Sequence, residues 1–179
     1  MSRNKNAYKE IAGGIEALFP RLWRYCLALT SNPDRANDLA QSTCLRALEK
    51  HALYEPGTKL DRWIFRMAQR LWINEMRADA VRQGGGLLTL DEIDLPDKKP
   101  GQETNLMARQ LLMEVMRLPE AQRVTVMLVY VEGFSYKEAA GILDIPIGTV
   151  MSRLASSRAK LAAKFDGAPE NGGKVNDGN

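Results

Sequence analysis

The stretch "GTVMSR", Gly148 to Arg153, joins a small residue at a helix start to two hydroxyls and a guanidinium. Such a set binds anions. Free backbone N–H groups at Gly148 and Thr149 can meet a phosphate, while Ser152 and Arg153 reach phosphates or base edges. Glutamates would be repelled there, and from Ile147 to Lys164 the only charges are Arg153, Arg158, Lys160 and Lys164. A second set, Lys59, Arg62 and Arg66, surrounds Trp63 and follows the loop "HALYEPGT" at 51–58. It offers charge for a strand backbone and a ring on which an unstacked base gains roughly 1–3 kcal/mol. On sequence alone Trp63 reads equally as platform or core residue, whereas Trp72 reads as buried. Covalent chemistry has little to work with. Cys44 and His51, seven residues apart, could share a helix face as nucleophile and base, but that spacing is roughly 10 Å, too long for contact. Cys26 and Cys44 lie in no metal-ligand pattern and read as buried thiols; no metal or cofactor is implied.

The elements that position these residues read as helices. Ile15, Leu18, Phe19, Leu22, Cys26 and Leu29 recur at helical spacing, and "SNP" at 31–33 then supplies a cap and a first-turn proline. A second helix follows from about Pro33 to Lys50. The third carries Leu60, Ile64, Met67 and Leu71 on one face, with Arg62, Arg66, Gln69 and Arg70 on or near the other. Beyond Thr104 a fresh pattern turns Leu111, Leu112, Val115 and Leu118 inward, and Pro119 starts a helix with Val124, Met127, Leu128 and Val131 as its core stripe. Ser135 and Glu138 form a capping box for a short helix ending near Leu143, with Ala139 and Ala140 on its inner face. Pro146 then separates it from a helix anchored by Val150, Leu154 and Leu161. This is the layout of a helix-turn-helix, whose second helix enters a major groove.

No segment alternates like a strand, so the expected fold is all-α: two small helical domains joined by a flexible acidic linker. Residues 8–82 form the first domain, 83–103 the linker, 104–165 the second domain with the helix-turn-helix, and 166–179 a tail. The chain has 179 residues, 45% hydrophobic and 26% charged, enough for packed cores. No apolar run approaches the roughly 20 residues of a membrane span, and the start lacks a secretory signal, so a cytoplasmic protein without membrane insertion is expected. Net charge is only +3 but unevenly spread: Lys59 to Arg82 holds six basic residues against three acidic ones, while 83–103 holds five acids against Lys98 and Lys99. Such a linker is a soluble tether, or it lies against the basic modules and keeps them off free DNA.

Several segments resemble bacterial RNA polymerase sigma factors of the extracytoplasmic-function type. "LP…R" at 118–123, "GFSYKEAA" at 133–140 and "GTVMSRL" at 148–154 are similar to that family's domain for the minus-thirty-five promoter element. "ANDLAQSTCLRAL" at 36–48 resembles its helix that docks on core polymerase, and "LDRWIFRMAQRLWINEMR" at 60–77 its helix for the minus-ten element. The likeness spans roughly 10–165. It implies a specificity subunit, not an enzyme, that binds core RNA polymerase, directs it to promoter DNA and opens the duplex. It also implies an anti-sigma factor as partner and a stress response.

By the same resemblance, Asp38, Gln41, Ser42, Leu45 and Arg46 face the polymerase. Lys59, Arg62, Trp63, Arg66, Gln69, Arg70 and Asn74 serve the minus-ten element, and loop residues 52–58 read a flipped non-template base. Gly148, Thr149, Met151, Ser152, Arg153, Ser156 and Arg158 serve the minus-thirty-five element. The chain departs from the family at Gln69-Arg70, where Arg-Asn is usual, and at Asn74, where an acid is. It departs again at Met151, often basic, and at Ser156-Ser157-Arg158, where an Arg-Ala-Arg run appears. The rival readings are a stand-alone helix-turn-helix regulator, which would need a dimerisation surface, and a helical adaptor that binds proteins only.

Overall fold

The computed structural model describes residues 2–82 and 103–165. Helices α1 (Ser2–Thr30), α2 (Pro33–Glu49) and α3 (Leu60–Arg82) form one unit, with a short 3-10 turn at His51–Leu53. Helices α4 (Glu103–Met116), α5 (Glu120–Val126), α6 (Tyr136–Leu143) and α7 (Ile147–Phe165) form the other, and no strand occurs among the described residues. The expected linker and tail lie outside the described residues, apart from Glu103, which opens α4.

Local chemistry explains most helix starts. Asn32 caps α2 by accepting the Arg35 N–H at 2.9 Å, and Pro33 follows where no N–H is needed. Ser135 accepts the Glu138 N–H at 3.3 Å, and Glu138 returns to the Ser135 N–H at 2.9 Å, completing the capping box. Asp144 stops α6 in a left-handed conformation, φ 57°, which a short polar side chain tolerates. Gly133, φ 76°, ends the π-helical turn Met127–Val131 that extends α5.

The first unit packs Ile11, Leu22, Tyr25 and Leu29 of α1 on Leu39 and Ala40 of α2 and on Ile64, Phe65 and Trp72 of α3. A Cβ at Gly14 would meet the end of the Leu60 side chain, which would have to turn aside. In the second unit, Val124, Leu128, Ile142, Val150 and Leu154 form the centre. Three sequence expectations change here. Leu111 and Leu112 are 44% and 39% exposed, because α4 joins the core through Val115 and Met116 near its end, and Val131 is exposed beside the terminating glycine. Cys44 is half-buried while Cys26 is fully buried.

The two units pack against each other, α1 against α5 and α3 against α6. Arg123, buried in α5, donates to the carbonyls of Ala28 and Leu29, which α1 leaves unpaired at its C-terminal end, at 2.5 and 3.5 Å. It also donates to Met116 and Leu118 at 3.1 and 3.0 Å, so one guanidinium binds both units. Burial pulls its pKa down, and nearby Glu120 opposes that shift. The Glu132 carboxylate, buried, accepts from Arg21 at 2.8 Å and pairs with Arg24 at 3.0 Å. Phe65 and Phe134 meet edge-on at 5.2 Å, with the Arg21 guanidinium 5.7 Å from each ring.

Candidate nucleic-acid interface

Helix α7 presents its expected contact residues to solvent at one end of the second unit. Gly148, Met151, Ser152, Ser156 and Arg158 are exposed, and Thr149 and Arg153 half-exposed, while Val150 and Leu154 anchor the opposite face. A Cβ at Gly148 would meet nothing within 4 Å, so packing does not demand glycine here. Ser152 donates to the Thr149 carbonyl at 3.0 Å, Ser156 accepts from Gln122 at 3.1 Å, and Arg158 donates to the Tyr130 hydroxyl at 3.0 Å. Ser157 is instead buried and donates to the Arg153 carbonyl at 2.7 Å.

The start of α3 is arranged differently. Lys59, Arg62, Trp63 and Arg66 line an open cleft of about 820 Å³ between the units, facing Ser135, Lys137, Glu138 and Ile142. The Glu138 carboxylate pairs with Lys59 at 2.6 Å and lies 3.9 Å from Arg62, while Asp144 pairs with Arg66 at 3.5 Å. Lys59 and the Ser135 hydrogen bonds together hold the Glu138 carboxyl down to about 2. Arg66 keeps its Nε shielded from solvent with no acceptor. Among the described residues, carboxylates from the helix-turn-helix thus stand against the cations expected to meet the minus-ten strand.

Trp63 is half-buried and tilts against Tyr54 at 5.3 Å, so one face packs while the residue still lines the cleft. Trp72 is buried, donates to Glu120 at 3.1 Å and carries Arg35 4.9 Å above its ring. Gln69 corrects an expectation: it is 8% exposed and accepts the Tyr25 hydroxyl at 2.6 Å, because it turns to the core side of α3. It belongs to the packing, not to a DNA surface. Arg70 and Asn74 are exposed. On α2, Asp38, Gln41, Ser42, Leu45 and Arg46 are all exposed at helical spacing on one side, and Leu45 is 60% exposed.

Cys44 and His51 make no dyad. The His51 Nδ1 is bonded to the Leu48 carbonyl at 2.7 Å and its ring meets Tyr8 edge-on, while burial raises the Cys44 thiol, opposite to an activated nucleophile. Sequence reasoning missed Arg21, Arg24 and Glu132, and the second partner of Glu138. Each depends on a residue at least 79 positions away, and nothing local marks the pairing.

Residues 15–82 match the family Sigma-70 region 2, and residues 108–161 match Sigma-70, region 4. The sequence is 35% identical over 166 residues to the ECF RNA polymerase sigma factor EcfG of Rhodopseudomonas palustris (strain TIE-1), covering 88% of this chain and 87% of that protein. It is 25% identical over 168 residues to the ECF RNA polymerase sigma factor SigW of Bacillus subtilis (strain 168), covering 88% of both. Among solved structures, the sigma factor RpoE from Bartonella quintana, in complex with the anti-sigma factor NepR, superposes with a TM-score of 0.72 at 26% identity, over 90% of this chain and 99% of that one.

Proposed function

The chain belongs to the extracytoplasmic-function RNA polymerase sigma factors, and we propose that it binds core RNA polymerase in the cytoplasm, directs it to specific promoters and helps open the DNA. The observation that carries this reading is the presence, in one chain, of an outward helix α7 on one unit and, on the other, a basic start of α3 that carries Trp63 against Tyr54. A stand-alone regulator has a use for the first but not the second. The polymerase meets Asp38, Gln41, Ser42, Leu45 and Arg46, where an exposed leucine amid polar groups suits docking. The minus-thirty-five duplex meets the start of α7, with Arg153 at base edges and Gly148, Thr149, Ser152, Ser156 and Arg158 at the backbone; Met151 offers apolar contact to a thymine methyl.

At the minus-ten element Lys59, Arg62, Arg66 and Arg70 follow the strand backbone and Asn74 extends that track, while Trp63 stacks a base freed from the duplex. The chain performs no covalent step, in keeping with a family of initiation factors. The packing of the two units is then a holding form, in which Glu138 and Asp144 occupy the cations that promoter phosphate needs, and engagement with polymerase separates them. An anti-sigma factor, as in the neighbour bound to NepR, keeps the chain inactive until a stress signal releases it.

Transcription by core polymerase plus the purified chain, on a pool of fragments from the source genome, tests the reading. Discrete starts sharing an upstream motif are expected. No starts and no co-elution with polymerase would sink it, and a stable dimer bound to a palindromic duplex without polymerase would replace it by the stand-alone regulator.

A further inference from the structure

We infer that Glu10, far from the DNA-facing helices in sequence, is a positioning residue for promoter opening: from α1 it sets the shape of the loop at 54–58 beside the cleft. The inference rests on the reading that this loop receives the unstacked base. Glu10 is half-buried on α1 and turns its carboxylate to the loop. One oxygen accepts the Tyr54 hydroxyl at 2.5 Å, and the other accepts the Gly57 N–H at 3.1 Å. A single side chain thus holds the first residue of the loop and its apex.

Gly57 sits at φ 81°, which glycine reaches without strain, but a glycine loses more conformational freedom on ordering than any other residue, so a tether here removes a large share of the loop's freedom. The Thr58 N–H and hydroxyl both donate to the Glu55 carbonyl, at 3.2 and 2.7 Å, closing the turn on itself, and Glu10 ties that turn to the helical body. Tyr54 is 2% exposed and passes the constraint on through its ring, tilted against Trp63. Burial and the bond to Glu10 push its phenol up to about 12, so it stays protonated and able to donate. Its hydroxyl also lies 2.9 Å from the Thr58 carbonyl oxygen, so its single proton is shared between α1 and the far end of the loop. The loop therefore presents Glu55 and Thr58 to the cleft, beside Leu53 of the preceding turn, on a frame already set, and a base entering it need not bear the entropy of ordering five residues, Tyr54 to Thr58.

The test uses the chain assembled with core polymerase and a promoter set in which each non-template minus-ten base is varied in turn. The readout is base preference, the ratio of transcription from preferred and disfavoured bases, which an overall loss of folded protein does not move. Glu10→Ala should lower the preference about fivefold, the effect of one net hydrogen bond, with polymerase co-elution retained. Glu10→Gln keeps one acceptor oxygen and should fall between. Tyr54→Phe should act in the same direction, and adding it to Glu10→Ala should cost less than the sum of the two, since both remove one contact. If Leu53→Ala or Glu55→Ala shifts the preference while Glu10→Ala leaves it unchanged, Glu10 has no positioning role. If none of these variants shifts it while transcription persists, the loop does not read the base, and the inference falls with that reading.

Discussion

At the start of α3, Lys59, Arg62 and Arg66 face Glu138 and Asp144 of the other unit, whereas at the start of α7 Ser152, Met151 and Gly148 face solvent and Arg153 reaches no carboxylate among the described residues. Both surfaces offer cations and hydroxyls that suit phosphate, yet one is engaged within the chain and the other is open. The difference teaches how a protein of modest net charge can limit its hold on free DNA. Each partly exposed ion pair contributes only about 0.2–1 kcal/mol. That is enough to bias a surface towards the closed form, and small enough that, in the function proposed above, phosphates could displace it. Two further ties between the units, Arg123 across the end of α1 and Glu132 between Arg21 and Arg24, involve a buried guanidinium and a buried carboxylate.

The largest expected effect is on the open side. Arg153→Ala should weaken binding of the polymerase complex to the minus-thirty-five duplex by about tenfold or more, the loss of a base-edge contact, with co-elution from polymerase unchanged. Loss of co-elution instead would mean that α7 is a protein-docking helix and that the two surfaces do not share a function.

A smaller effect is expected on the covered side. Glu138→Gln keeps the capping box, since glutamine can also reach back to the Ser135 N–H, but removes the charge facing Lys59 and Arg62. Binding of the free chain to a single-stranded minus-ten oligonucleotide should rise about threefold, a gain that fades as salt screens both partners. Unchanged affinity in titrations at low and high salt would show that Glu138 does not compete with DNA.

The smallest effect concerns acidity. The Glu138 carboxyl is held at about 2 against an ordinary 4.5, so its contribution is fully present above about pH 4.5 and is lost as pH falls towards 2. The stability difference between the native chain and Glu138→Gln should therefore be constant at neutral pH and shrink through that acidic window. A difference that did not shrink would assign the loss to packing rather than charge.

Much of the fold was legible because its determinants are short-range. The capping box at Ser135, the Asn32 cap with Pro33, and the glycine at 133 act within one turn of the chain, so the helices and the helix-turn-helix could be read in order. The exposed residues of α7 were legible for the same reason, since helical period assigns Val150 and Leu154 inward and Ser152 outward. Gln69 was misplaced because its side of α3 meets Tyr25, a partner 44 residues earlier that gives the amide a buried hydrogen bond. Glu10 was invisible for a similar reason: a glutamate on a helix reads as a solvated charge until the loop it braces is folded against it.

The sequence by itself determined the helices, their caps and the two basic surfaces, because periodicity and capping are properties of neighbours along the chain, and the likeness of its motifs gave the family. Only the tertiary structure decided which of those surfaces is free. That choice depends on Coulombic and packing contacts between residues far apart in the chain, such as Lys59 with Glu138 and Arg123 with Ala28, and such contacts exist only once two units with separate local codes are brought together.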